Sequence, residues 1–205
     1  MAFTFFFRDL QTLELIRDHA LPHMRTAPPI RIWDAGCAMG PEPYSLAIVL
    51  RQSMGPMLYR NVKIHASDID ESGHFGEIIQ AGIYPVDQIK RMPKDVQQTY
   101  FAAIDQPPHH FRINEEIRKS VIYHHHDLLT FKAFEKNFSL ILCKNVLLHF
   151  NAEQRIQVLD MFHRALRAGG FLVTEQTQKM PSERLRAWEQ VVSNARIYRK
   201  IDGNA

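Results

Sequence analysis

At 205 residues the chain can bury one substantial core and a small insertion but hardly two full domains, so a single α/β domain is the default. A composition that is 45% hydrophobic and 23% charged, with 9 Gly and 11 Pro, excludes a disordered or low-complexity chain. The formal charge of +3 comes from basic residues scattered along the chain, without a dense block interleaved with aromatics, so no nucleic-acid partner is expected.

From the N-terminus, Met1 to Phe7 is apolar but is closed at once by Arg8 and Asp9, too short and in the wrong charge order for a signal peptide. Phe3 to Phe7 reads as extended, and Asp9 to about His19 as a helix with apolar residues at Leu10, Leu13, Ile16 and Ala20, ended by Pro22 and a Pro28-Pro29 linker. A strand is predicted over Ile30 to Ala35, a helix from Glu42 to about Gln52, a strand over Val62 to Ser67, and a weaker helix from Glu71 to Gln80 that contains Gly73 and Gly76. From Gly82 to Ser120 the strand-helix rhythm breaks into short pieces divided by Pro93 and Pro107-Pro108, which reads as an insertion with antiparallel strands near Gly82 to Tyr84 and Phe111 to Ile113. The rhythm then resumes. Strands are predicted over Val121 to His125, Phe138 to Cys143 and Gly170 to Glu175, with an amphipathic helix from Ala152 to Leu166 behind the cap residue Asn151. Ser182 to Ser193 reads as a helix, and Arg196 to Ile201 as an edge strand. The apolar run Phe138 to Cys143 stops at Lys144, far short of the roughly 20 residues that span a bilayer, so no integral membrane segment and a cytoplasmic location are expected.

The chemistry concentrates in Arg31-Ile-Trp-Asp-Ala-Gly-Cys-Ala-Met-Gly40, a strand running into a glycine-bearing turn, followed by the helix that contains Glu42. Strand, turn and helix form the cradle that nucleotide-like cofactors use in open α/β sheets, and the next strand ends in Asp68, a carboxylate suited to a ribose diol. Dinucleotide sites show G-x-G-x-x-G, whereas this turn has just Gly36 and Gly40; the looser loop suits a phosphate-free cofactor with an adenosine end and a charged amino-acid end, as in S-adenosylmethionine. Glu42 is placed to attract such a cofactor's ammonium or sulfonium, or merely to sit at the helix start behind Pro41. Cys37 and Cys143 each end a predicted strand and read as small buried hydrophobes at one sheet edge. The run His124, His125, His126 alternates across a strand and cannot share one ion without a bend, so no metal is expected.

Taken together, Thr4 to Asp9, Ala35 to Leu46, Ala66 to Asp70, Gly82 to Tyr84, His126 to Leu129, Cys143 to Val146 and Ala168 to Gly170 resemble the chemotaxis-receptor glutamate methyltransferases, the CheR family. The resemblance implies a Rossmann-like class I methyltransferase sheet over residues 30–205, preceded by an N-terminal segment and helix (1–29) and carrying a small inserted antiparallel β subdomain (82–120). It implies S-adenosylmethionine as cofactor, S-adenosylhomocysteine as product, and a protein partner, a helical receptor segment whose glutamates are methylated, near the insertion. Residue by residue, it implies that Thr4, Arg8, Gly36, Glu42, Asp68, Asp127, Leu128 and Asn145 hold the cofactor, with Arg8 and His149 beside the transferred methyl. The departures are His149 where the family has tyrosine, Pro41 for the first glutamate of its Gly-Glu-Glu-Pro-Tyr-Ser motif, a strand ending in Thr174-Glu175-Gln176, and the expected absence of a preceding helical domain.

Two roles stay open on the residues alone. Arg8 either orients a substrate carboxylate through its planar fork or simply follows the Phe5-Phe6-Phe7 anchor. His149 either donates to substrate or is a loop histidine ahead of Asn151. The alternatives to a protein-carboxylate methyltransferase are a cofactor-binding regulator without turnover and a methyltransferase for a small-molecule carboxylate.

Overall fold

The computed structural model describes residues 4–201. Phe3, the start of the expected extended stretch, and residues 202–205, the end of the expected sheet domain, lie outside the described residues.

The first helix is longer than its sequence signals. Asp9 caps α1 (Leu10–Leu15) by accepting from the Thr12 N–H, a π-helical turn (Ile16–Ala20) follows, and α2 (Leu21–Met24) continues past Pro22. Proline lacks an N–H and crowds the carbonyl four residues back, and the widened π turn ahead of it lets the helix run on instead of stopping near His19. Phe6 to Asp9 form a turn rather than extended chain, with Phe7 at φ +56°.

The main sheet contains β1 (Ile30–Ala35), β2 (Val62–Asp68), β6 (Val121–His125), β7 (Phe138–Cys143), β8 (Leu166–Thr174), β9 (Trp188–Gln190) and β10 (Ile197–Lys200) in the order β6-β2-β1-β7-β8-β10-β9. The first five in that order are parallel, and β10 and β9 close it antiparallel. Six buried residues in succession over β7 are what a strand covered on both faces requires. Period two divides β1 between the faces: Ile30 and Ile32 join the core beneath α3 (Pro41–Tyr59), while Trp33 and Ala35 join the core beneath α8 (Ala152–Ala165). Asn151 and Gln154 form the reciprocal cap of α8.

Several predicted elements shift. The helix expected to end near Gln52 reverses at Gly55 (φ +72°), ahead of Pro56, and ends at Tyr59. The helix expected from Glu71 begins at Phe75 as α4 (Phe75–Ala81), because Asp70 folds the preceding turn by accepting from Ser72 Oγ and the Phe75 N–H, with Gly73 at φ +70°. β8 starts at Leu166, opposite a bulge near Phe138. The expected helix over Ser182 to Ser193 is a 3₁₀ segment (Ser182–Ala187) followed by β9, which makes β10 an interior strand and β9 the edge.

The stretch between α4 and β6 forms a second sheet of β3 (Ile83–Pro85), β4 (Phe101–Ile104) and β5 (His110–Ile113), antiparallel with β5 central, among the short helices α5 (Val86–Ile89), α6 (Lys94–Tyr100) and α7 (Glu115–Arg118). Phe6 locks it to the body: 1% exposed, it meets Tyr84 edge-on at 4.9 Å and Phe101 at 5.2 Å. The Tyr84 hydroxyl in turn donates to the Met39 carbonyl at 2.9 Å, in the turn after β1. Phe6→Ala is expected to cost about 3–5 kcal/mol in denaturant unfolding, the range for a buried aromatic truncation; a loss under about 1 kcal/mol would mean that Phe6 is not part of the core.

On the far edge, His65 of β2 stacks on His124 of β6 with centroids 5.2 Å apart and Nδ1 to Nε2 at 3.0 Å. Burial, then His124, Arg31 and Lys63, push His65 down to about 4. Its folded pKa lies below the unfolded value of about 6.5, so the stabilisation is complete above that value and is lost as pH falls toward 4. Thermal melting should therefore drop through this window in the parent and drop less in His65→Phe; parallel profiles would remove His65 as the cause.

Candidate functional site

β1 has β2 on one side and β7 on the other, and the chain leaves β1 toward α3 but leaves β7 toward α8, so a crevice opens at their carboxyl ends. A cavity of about 710 Å³ occupies it, within the span typical of small-molecule sites. Its walls come from the segments after β1, β2, β6 and β7, and the N-terminal segment from Thr4 to Leu13 covers one side.

Thr4, Arg8, Gly36, Glu42, Asp68, Asp127, Leu128, Asn145 and His149 all line this cavity. Gly36 and Gly40 sit at φ +100° and +99°. A Cβ on Gly36 would lie 2.1 Å from Val146 Cγ2, so the turn after β1 can pass the β7 segment in one way, with glycine. Glu42 is half-buried in the first turn of α3, and burial pushes its carboxyl up to about 7 while Arg8 pulls the other way. Asp68 accepts from the Ala38 N–H at 2.9 Å and the Asp70 N–H at 3.1 Å, which ties the end of β2 to the glycine turn and leaves further lone pairs on both oxygens. Asp127 accepts from the Leu129 N–H at 2.8 Å. Asn145, at φ +58°, donates its N–H to Glu175, and His149 is exposed at the end of a single 3₁₀ turn (Leu147–His149). Asp70, the fallback for Asp68, does not line the cavity: its carboxylate is taken by Ser72, the Phe75 N–H and the Tyr123 hydroxyl.

Sequence reasoning missed Lys144, which is 7% exposed on the cavity wall beneath Arg8 and Asp9. Its Nζ is paired with Asp9 and lies 3.5 Å from Thr12 Oγ1, so one carboxylate both caps α1 and fastens it to the end of β7. Burial pushes this amine down to about 8, opposed by Glu175 and reinforced by Arg8. The available signal was a charge that stops an otherwise wholly apolar strand. His126 also lines the cavity, with Nε2 on the Lys132 carbonyl, while His124 belongs to the stack with His65. Cys37 and Cys143 are buried free thiols at the same sheet edge.

Residues 2–197 match the family described as CheR methyltransferase, SAM binding domain. The chain belongs to that family. It is 32% identical over 169 residues to a chemotaxis protein methyltransferase of Listeria innocua, covering 82% of this chain and 61% of that protein. It is 31% identical over 178 residues to one of Borreliella burgdorferi (83% and 62%), and 32% over 177 residues to chemotaxis protein methyltransferase 1 of Pseudomonas aeruginosa (82% and 63%). The chain thus spans less than two thirds of the length of these relatives. The cofactor that goes with this domain is S-adenosylmethionine, and the residues present suit it: carboxylates for a cationic amino-acid end and a diol, no phosphate-type crowding of glycines, and Leu128 as an apolar surface.

Gly36→Ala should cost about 2–5 kcal/mol, from overpacking against Val146 and from strain at positive φ. Adding Val146→Ala should relieve the overpacking and leave the strain, read as partial recovery in denaturant unfolding; a Gly36→Ala protein as stable as the parent would show that the close approach is not a constraint.

Proposed function

We propose that this chain is an S-adenosylmethionine-dependent methyltransferase that O-methylates a glutamate carboxylate of a protein, of the chemoreceptor kind, in the cytoplasm. The observation that carries the reading is the division of charge within one cavity. Glu42, Asp68 and Asp127 suit a cationic nucleoside donor, while Arg8 on the covering segment suits an anionic acceptor. The relatives named chemotaxis protein methyltransferase support methyl transfer in chemotaxis. Among the described residues no helix is long and apolar enough to cross a membrane. We assign residues 1–29 to covering the cavity, 30–205 to the methyltransferase sheet, and 82–120 to contact with the acceptor protein.

A glutamate side chain is already ionised at neutral pH, its ordinary pKa being about 4.3, so the reaction needs no general base. S-adenosylmethionine supplies, when bound, an electrophilic methyl group on a positively charged sulfur. The chain must hold an oxygen in line with that methyl and exclude water. Arg8 orients the acceptor carboxylate with its planar fork; a tight salt bridge would stabilise the ground state more than the charge-neutralising transition state, so orientation is its contribution. Glu42 faces the ammonium of the cofactor, Asp68 and Asp127 hold its ribose and adenine ends, with Leu128 against the base, and Thr4, Gly36 and Asn145 line the methionine side. His149 stands where the family's tyrosine stands and contacts the acceptor oxygen.

Calorimetric titration should show binding of S-adenosylmethionine and S-adenosylhomocysteine and none of NAD; the reverse preference ends the reading. Asp68→Ala should weaken cofactor binding by about 1.5–3 kcal/mol, the worth of hydrogen bonds to a charged group. With a chemoreceptor cytoplasmic fragment and labelled methyl donor, Arg8→Ala should lose far more methyl transfer than cofactor affinity, and Arg8→Lys should recover a minor part. Parental transfer by Arg8→Ala would reduce the Thr4 to Arg8 segment to an anchor.

A further inference from the structure

The strand that leads into the glycine turn carries a charge that the site as described does not use. Asp34 is completely buried in the middle of the sheet, and neither of its carboxyl oxygens has a hydrogen-bond donor among the described residues. Period two puts it on the same face of β1 as Ile30 and Ile32, toward α3. There its carboxyl group lies close enough to that of Glu42, in the first turn of α3, for each to feel the other's ionisation. Two carboxylates cannot hydrogen-bond each other without a proton, and an isolated buried carboxylate is costly, so such a pair retains one proton between its two groups. Glu42 in turn lines the cavity.

We propose that Asp34 and Glu42 form a proton-sharing carboxyl pair that serves as the cation-recognition end of the cofactor cavity, and that capture of the cofactor's ammonium and sulfonium expels the shared proton to solvent. The inference rests on the cofactor reading above and deepens it: Asp34, which does not line the cavity, acts through Glu42 as a positioning residue. The free pair carries one negative charge and the occupied pair two, so the incoming positive charges replace the proton. The groups around the pair favour this exchange. Asp68 on β2 and Glu175 at the end of β8 repel a second negative charge and hold the proton in the free protein, while Arg8 on the covering segment faces Glu42 and limits that effect. The Cys37 thiol beside them is buried and neutral. Burial and these neighbours raise both carboxyls, Glu42 to about 7, which sets the window in which the exchange is visible.

The test is calorimetry of the whole chain with S-adenosylmethionine and S-adenosylhomocysteine in buffers of differing ionisation enthalpy, across about pH 5.5 to 7, where an α-ammonium stays charged. Close to one proton released per cofactor bound is expected near the lower end, with affinity rising roughly tenfold per pH unit before levelling off. His126 and His149 also line the cavity, and Asp34→Asn separates any contribution of theirs from that of the pair. The asparagine donates to an ionised Glu42, so proton release should vanish and the pH dependence flatten, while Asp34→Ser should shift release without restoring the parental profile. A second readout needs no cofactor. The pair's folded pKa lies above its unfolded value, so its stabilisation is complete below about pH 4 and is lost as pH rises through about 7. Because His65 is common to both proteins, the readout is their difference: over that interval the melting temperature of the parent should fall relative to that of Asp34→Asn. Binding without proton release, or an unchanged melting profile in Asp34→Asn, overturns the shared proton while leaving the cofactor reading intact. Absence of binding alongside the expected melting profiles overturns the cofactor reading and with it the recognition role of the pair.

Discussion

Much of this structure depends on the chain parting in opposite directions around β1. β2 pairs on one side and β7 on the other, α3 covers one face and α8 the other, and the crevice between the two exits is where the backbone can come close to a ligand without a side chain in the way. The crevice stays narrow because Gly36 allows its turn to lie directly against Val146, a packing that any Cβ would exclude. Asp68 then fastens the Ala38 N–H of that turn to the neighbouring strand, so its shape is held from two sides before any ligand arrives.

The covering segment from Thr4 to Leu13 is attached by two very different contacts. Phe6 is buried between aromatic rings of the small sheet, a non-directional attachment that fixes how the insertion sits on the body. Asp9 is directional: it caps α1 and pairs with Lys144 at the end of β7. Between them lies Arg8, held over the cavity by its chain neighbours on both sides. An arginine on a short exposed segment would lose orientation to conformational freedom, and the two flanking anchors remove much of that freedom.

Charge around the cavity is divided between its walls. Carboxylates of Glu42, Asp68 and Asp127 line the strand ends, with Asp34 buried behind Glu42, while Arg8 lies on the covering segment and the buried Lys144 is matched by Asp9. Burial raises the carboxyls of Asp34 and Glu42 because it penalises their charged forms. Such a division suits the cationic donor and anionic acceptor of the proposed reaction.

The cofactor cradle was legible in the chain because it is local. Strand, turn and helix are consecutive, the glycine spacing reports backbone approach, and Asp68 follows from the end of the next strand. The parallel core strands were equally plain, since β7 is an almost wholly apolar run and β1, β2 and β6 are short stretches led by β-branched residues and bounded by turns. Helix boundaries were less so: Pro22 reads as a stop until a π turn is seen to accommodate it, and Ser182 to Ser193 has helical spacing but finds a strand partner in β10. What tertiary structure alone decided are the encounters between residues far apart in the chain. Phe6 with Phe101, Asp9 with Lys144, and Gly36 with Val146 leave no periodic trace. Asp34 and Glu42 are only eight positions apart, yet the sequence shows one as a strand residue and the other as the start of a helix. Their meeting depends on the sharp reversal at Gly36 and Gly40 that folds α3 back over the face of β1. Local propensity and pattern specify elements and their exposed or buried faces; which charges lose their water together is set when those faces pack.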